Sequence, residues 1–309
     1  MNVDPHTVLT DLQRGLVPLS DAALHVALVS LNRMRLVPTT PEGDWPHELA
    51  RLTELSLHED LFLERERAAT WGRVQHAPCE AAAFASWFDD LRERGPGQHD
   101  PLFAYLAERA TLDEMRWFLR QEIAGEAGFD DLVALTQLRL PTRAKLELAR
   151  NYWDEMGRGK AVGMHGPMLG RLTEALSLPT DRPCEIVWEA LAVGNVLAGL
   201  AYNRRYAFHS IGALGAVELT APSRAVKVVE GLDRLGVSAA ASHYFQLHAT
   251  IDVIHARAWR DEVLVPLVSE NPALARPLAE GAIMRLNAGA RSFARYRHEL
   301  GCGMMPSRS

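Results

Sequence analysis

Cysteine is scarce in this chain: three residues in 309, at Cys79, Cys184 and Cys302. An odd number, so widely spaced, argues against a disulfide framework or a zinc knuckle and fits reduced thiols in a cytoplasm. No run of roughly eighteen apolar residues is free of charge, so no membrane-spanning helix is expected. The first residues, MNVDPHTVLTDLQRG, lack a basic stretch followed by an apolar one, so no secretory signal is expected either. Net charge is −6 and no long basic run occurs, which excludes nucleic acid as an expected partner. Neither a P-loop nor a dinucleotide-binding glycine motif is present. Alternating runs of β-branched residues are nearly absent, which leaves little from which to build a sheet.

What is present is apolar and helical. Hydrophobic residues make up 48%, enough for a sizeable core. Alanine, leucine, arginine and glutamate dominate, and apolar positions recur at three and four, so the chain reads as all-α. Ser20 is positioned to cap a helix over 21–36. Residues 37–46 read as a loop, and 47–67 and 78–94 as helices, the second ended by Gly95-Pro96-Gly97. Thr111 and Glu114 form a capping box opening a helix that contains Glu122. Pro141-Thr142 opens a helix over 143–156. From Pro183 to Leu219 one long central helix is expected, with Pro222-Ser223 starting another up to Gly236. A last amphipathic helix begins near Pro272. No repeat, low-complexity segment or linker divides the chain, so one helical domain over 1–309 is expected.

The stretch with the most chemistry is His248-Ala-Thr-Ile-Asp252-Val-Ile-His255. On a helix, residues four and seven apart share a face. Two imidazoles and a carboxylate on an apolar helix are costly to bury unless something pairs with them. A divalent ion such as iron, manganese or zinc is the economical partner; core histidines with local hydrogen bonds are the alternative. Glu155 and His165 lie ten residues apart, close to three turns if the helix continues through glycines 157, 159, 163 and 166. A loop there is the other reading. Glu218 is the only acid between Glu189 and Glu230, and a buried carboxylate needs a metal or an arginine. Glu122, taken alone, reads more readily as an exposed acid beside Arg120 than as a ligand. Asp130 and Asp131 read as first-turn acids complementing a helix dipole. Arg204 and Arg205, with Tyr202, Tyr206 and His209 nearby, offer a bidentate site for a substrate carboxylate, or else are surface residues paired with acids.

Taken in order, Glu122, Glu155 with His165, Glu218, and His248-x3-Asp252-x2-His255 resemble the haem-oxygenase-like diiron oxidases, often labelled iron-containing redox enzymes. The segment NYWDEMGRGKAVGMH also looks like that family's second ligand helix. The resemblance covers residues 105–260, the metal-binding core, with residues 1–100 as an N-terminal helical extension. It implies a seven-helix bundle that holds two Fe(II) ions, with manganese a possible substitute in vitro, and uses O2 as co-substrate. It implies that Glu122, Glu155, His165, Glu218, His248, Asp252 and His255 are ligands. One division gives Glu155, His165 and His255 to one iron, and Glu122, His248 and Asp252 to the other, with Glu218 bridging. It implies oxidation of a small amino acid or amine in specialised metabolism, by N-oxygenation, desaturation, ring closure or carbon–carbon cleavage. An external electron donor and a homodimer fit the same likeness. Gly212 and Gly215 are compatible with the partial unwinding of the third core helix known for the family without metal. Competing expectations are a metal-free thiaminase-like enzyme using a cysteine such as Cys184, and a non-catalytic helical protein binding haem through His165 or His209.

Overall fold

A computed structural model describes residues 16–41, 43–125, 128–179 and 182–302. Helix α1 (Asp21–Leu36) starts where Ser20 caps it, its side chain accepting from the Ala23 amide at 3.3 Å. Helix α2 (Trp45–Ala68) follows the loop and is capped by Asp44. A single turn, α3 (Trp71–Val74), leads to α4 (Ala81–Arg94) and then to α5 (Pro101–Glu108), which carries proline in its first turn behind the Asp100 cap. Helix α6 (Leu112–Gly125) opens on the expected capping box: Thr111 and Glu114 bond reciprocally, at 3.3 Å and 2.7 Å. Helices α7 (Phe129–Thr136) and α8 (Thr142–Glu155) form a short hairpin.

Beyond Glu155 the helix does not continue. Gly157, Arg158 and Gly159 all take positive φ, and two 3-10 turns carry the chain to α9 (His165–Ala175). Glycine needs no side-chain clearance there, so a sharp reversal replaces three turns of helix. The expected long helix from Pro183 is also divided. It breaks at Asn203, whose side chain caps a 3-10 turn, giving α10 (Trp188–Tyr202) and α11 (Ala207–Arg234). Pro222, in contrast, starts nothing: it lies inside α11, where it deprives the Glu218 carbonyl of its helical partner without ending the helix. Helix α12 (Ala239–Ala258) passes through a π-helical turn over Trp259–Leu264 into α13 (Val265–Glu270), and α14 (Ala275–Glu299) closes the fold. Among the described residues no strand forms, only one isolated bridge between Met156 and Met164. No helix there is long and apolar enough to cross a membrane.

Helix α10 is apolar all round and buried from Glu189 to Ala201, the pattern of a helix with neighbours on every side. It packs on α1, α6 and α14. Helix α11 packs on α12, α14 and α5. Gly212 faces the Leu278 backbone and Gly281 faces the His209 carbonyl, so neither position has room for a Cβ. The indole of Trp259 fills the space beside Gly215 and donates to the Ile211 carbonyl at 3.1 Å. These glycines let α11 and α14 approach closely, and α11 runs unbroken through Glu218. The N-terminal extension is stitched to this core. The Asn195 amide on α10 donates to the His25 carbonyl at 3.0 Å, and the Asn32 amide donates to Asn195 Oδ1 at 2.9 Å.

Candidate metal centre

Four helices bring the polar groups together. Helix α8 turns Glu147, Asn151 and Glu155, spaced by four, towards the core. Helix α11 contributes Glu218, which is 2% exposed, and α12 contributes His248, Asp252 and His255. His165 arrives through the glycine reversal: the bridge between Met156 and Met164 closes the loop and sets the first residue of α9 beside the last residue of α8. The Nδ1 of His165 touches a Glu155 carboxylate oxygen.

Two overlapping groups of ligand atoms result, each gathered within 4.8 Å: Glu155 with His165 and His248, and Glu155 with Glu218 and His255. His165 and His248 stand ring to ring, with centroids 4.6 Å apart. His255 reaches Glu218 Oε2 at 3.4 Å and Asp252 Oδ1 at 4.0 Å from Nδ1, and Asp154 Oδ2 at 3.2 Å from Nε2. Outer contacts fix these groups. Asn151 Nδ2 donates to Glu218 Oε1 at 2.7 Å, and His248 Nδ1 lies 2.7 Å from the Tyr244 carbonyl oxygen. With Nδ1 engaged by a carbonyl, that nitrogen carries the proton and Nε2 offers its lone pair.

Burial and mutual proximity shift the pKa values of these groups. Burial, with Glu218 beside it, pushes the Glu155 carboxyl well above the usual carboxylate range. Burial lowers the pKa of His165, and burial with His165 beside it lowers that of His248 to about 4. Both shifts favour the neutral forms at the Glu155–His165 contact. For His255, burial acts downward, but Glu218, Asp154 and Glu155 overcome it and hold the ring up at about 9. The Nδ1 atoms of His165 and His255 and the Oδ1 of Asn151 are buried without a hydrogen bond. Native proteins seldom leave such atoms unsatisfied. Carboxylate oxygens and imidazole nitrogens at this spacing fit a divalent first-row ion.

The expected residues do not all meet here. Glu155, His165, Glu218, His248, Asp252 and His255 converge. The sharing differs from the expected division, since Glu155 belongs to both groups and His248 stands with His165. Glu122 lines the same cavity but belongs to neither group: it faces Arg224 and Arg285 and accepts from the Tyr296 hydroxyl. Arg204, Arg205 and Tyr206, on the 3-10 turn before α11, and His209, in the first turn of α11, do not line this cavity. Arg204 donates to the carbonyls of Leu135, Thr136 and Leu138 at the end of α7. Tyr206 donates to Glu64 at 2.6 Å, Arg205 lies 3.6 Å from the same carboxylate, and His209 pairs with Glu280 at 3.0 Å. Asp130 and Asp131 do occupy the first turn of α7, and the charge of Asp130 is felt at Glu155 and His165.

Asp154, Asn151 and Arg224 are the residues that sequence reasoning passed over. The signal for the first two was their spacing from Glu155, one and four residues before it. For Arg224 it was its place six residues after Glu218 on one helix. The cavity over the site has a volume of about 110 Å³ and is also lined by Phe118, Phe129 and Tyr244. A cavity of ~150 Å³ holds one benzene, so this one suits a small molecule and not a haem. None of the three cysteines lines it.

No curated protein matches the chain. The family model described as iron-containing redox enzyme matches residues 116–290, a span reaching from α6, which carries Glu122, into α14, which carries Arg285. The chain belongs to the iron-containing redox enzymes, a family of haem-oxygenase-like fold.

Proposed function

We propose that this protein is a non-haem diiron oxygenase or oxidase that uses O2 to oxidise a small amino acid or amine. The observation that carries this reading is the pair of ligand groups sharing Glu155, with buried imidazole nitrogens left unsatisfied inside them. In this reading Glu155, His165, Glu218, His248, Asp252 and His255 hold the metal. Glu122 stands behind them as a counter-charge to the arginines. When bound, two ferrous ions supply the electrons that reduce O2 and the oxidising power that attacks the substrate.

The rest is the work of the chain's own groups. Asp154 and the Tyr244 carbonyl orient His255 and His248, and Asn151 fixes the Glu218 carboxylate. Phe118 and Phe129 line the cavity and keep bulk water from the site. Burial and Glu218 raise the Glu155 carboxyl, so metal binding there displaces its proton. An external electron donor would return the site to its reduced form, and a homodimer is the expected assembly.

The test is iron stoichiometry after anaerobic Fe(II) reconstitution of wild type, His248→Ala and Glu218→Ala. About two irons per chain in wild type, with sharp losses in both variants that remain helical, is the expected result. A folded wild type that takes up no iron overturns the reading.

A further inference from the structure

One cation on the cavity wall is not used by the metal centre. Arg224 lies on α11, and its guanidinium stands over the Phe293 ring, 5.5 Å from the centroid. Protein surrounds it, yet it keeps accessible surface because it faces the cavity. Among the described residues it makes no hydrogen bond and no ion pair. The charged groups whose fields it feels are Arg285, Glu122 and Asp252, and Glu122 is already engaged by Tyr296. Burial and Arg285 lower the Arg224 pKa to about 10, which leaves it a cation at neutral pH. An enclosed guanidinium with unused donors is costly, and an anion presenting two oxygens relieves that cost best.

The cavity has three kinds of wall. Arg224 and Arg285 supply the cationic side, Arg224 with its donors unused; Phe118, Phe129 and Ile123 supply apolar surface; Glu155, Glu218 and His248 supply the ligand side. A molecule held at Arg224 therefore presents its apolar part to the aromatic wall and one of its atoms to the ligand groups. We propose that Arg224 anchors the carboxylate of a small, predominantly apolar carboxylic or amino acid, and so determines which atom of the substrate faces the Glu155–Glu218–His248 groups. Calling that ligand a substrate rests on the oxidase reading; the anchoring itself does not require metal.

Propionate and its neutral counterpart propionamide, small enough for the cavity, are the probes, titrated calorimetrically into Fe(II)-loaded protein under anaerobic conditions and into metal-free protein. The acid binds about tenfold or more tightly than the amide in both forms. Arg224→Met removes that preference, and Arg224→Lys keeps part of it. Equal binding of acid and amide by wild type overturns the proposal. A preference that survives Arg224→Met, or that exists only with Fe(II) bound, overturns it too, because the metal would then be the anchor. Should Arg224→Met fail to fold, the acid-against-amide comparison in metal-free wild type and Arg224→Lys still decides. Iron uptake separates this proposal from the function. Wild type that binds no iron but keeps an Arg224-dependent preference sinks the diiron reading and leaves the anchor standing. Arg224→Met with full iron and no preference sinks neither.

Discussion

His255 has a carboxylate beside each ring nitrogen: Nε2 bonds Asp154 Oδ2 at 3.2 Å, and Nδ1 lies 3.4 Å from Glu218 Oε2. The two acids come from different helices and play different parts. Asp154 is further outward, 14% exposed and also paired with Arg158 at 2.6 Å. Glu218 is buried among the ligand groups. With Nε2 bonded to Asp154, the proton stays on that side and Nδ1 is free to ligate. Loss of such an outer partner commonly costs about 10–100-fold in metal affinity. Asp154→Ala is therefore expected to weaken metal binding by about that factor while the helical content holds. Competition with a chelator measures it. Unchanged affinity would reduce Asp154 to a surface partner of Arg158.

Metal uptake is expected to strengthen as pH rises. Without metal, His255 holds its proton up to about 9, and Glu155 holds its own well above the usual range. Both must lose protons to ligate, so uptake releases protons and the apparent affinity climbs from pH 6 towards pH 9. The sign for folding is opposite. A histidine raised from 6.5 to about 9 adds stability to the metal-free chain that is complete below pH 6.5 and lost as pH passes 9. Mn(II) titrations in two buffers of different protonation enthalpy would reveal the released protons. An affinity flat across this range contradicts the proton inventory.

Local rules wrote most of the helices into the sequence. Ser20 and the Thr111–Glu114 box cap the helices they were expected to open. The His248–Asp252–His255 stripe was legible because a helix repeats by geometry. Three features were not. The reversal at Gly157 pairs Glu155 with His165 through a loop, and ten residues fit three helical turns as well as they fit a closed turn. The break at Asn203 depends on a side-chain cap that Asn203 gives its own 3-10 turn, in a stretch otherwise apolar enough to continue. The role of Arg224 depends on Phe293, Arg285 and Asp252, which lie far along the chain and meet it only by packing. For the same reason Arg204 and Arg205 looked like substrate ligands: their neighbours at Leu138 and Glu64 were invisible in sequence.

The reversal itself can be tested at single glycines. Gly157 has φ of 61°, and a Cβ there would run into the Gly163 backbone. Backbone on both sides cannot yield as a flexible side chain can. Gly157→Ala is expected to open the Met156–Met164 bridge, separate His165 from Glu155 and cut metal binding severely. Gly166, one residue into α9 after His165, has nothing within 4 Å of its would-be Cβ. Gly166→Ala is expected to keep full metal binding and to gain up to about 1 kcal/mol of stability from better helix propensity. Paired thermal melts and iron stoichiometries distinguish the two. Equal effects at both glycines would mean that the loop does not position His165.

The N-terminal extension carries its own pH response, remote from the metal centre. His25 on α1 stacks on Trp188 with ring centroids 5.5 Å apart and meets Phe62 edge-on at 4.8 Å. The Asn195 amide lies 3.2 Å from its Nδ1, which suits a neutral ring accepting a hydrogen bond. Burial, with Arg291 adding to it, lowers the His25 pKa to about 4. The folded value lies below the unfolded 6.5, so acidification protonates the unfolded chain first. The stabilisation is therefore complete above pH 6.5 and lost as pH falls towards 4. A gap of that size corresponds to at most about 3 kcal/mol. His25→Leu cannot titrate, so the wild-type-minus-variant difference in unfolding free energy should shrink by that order between pH 7 and pH 4. Denaturant melts at both pH values give the difference directly, with the other titrating groups cancelling. A difference that stays constant would mean that His25 takes its proton inside the fold, and that the stack on Trp188 tolerates an imidazolium.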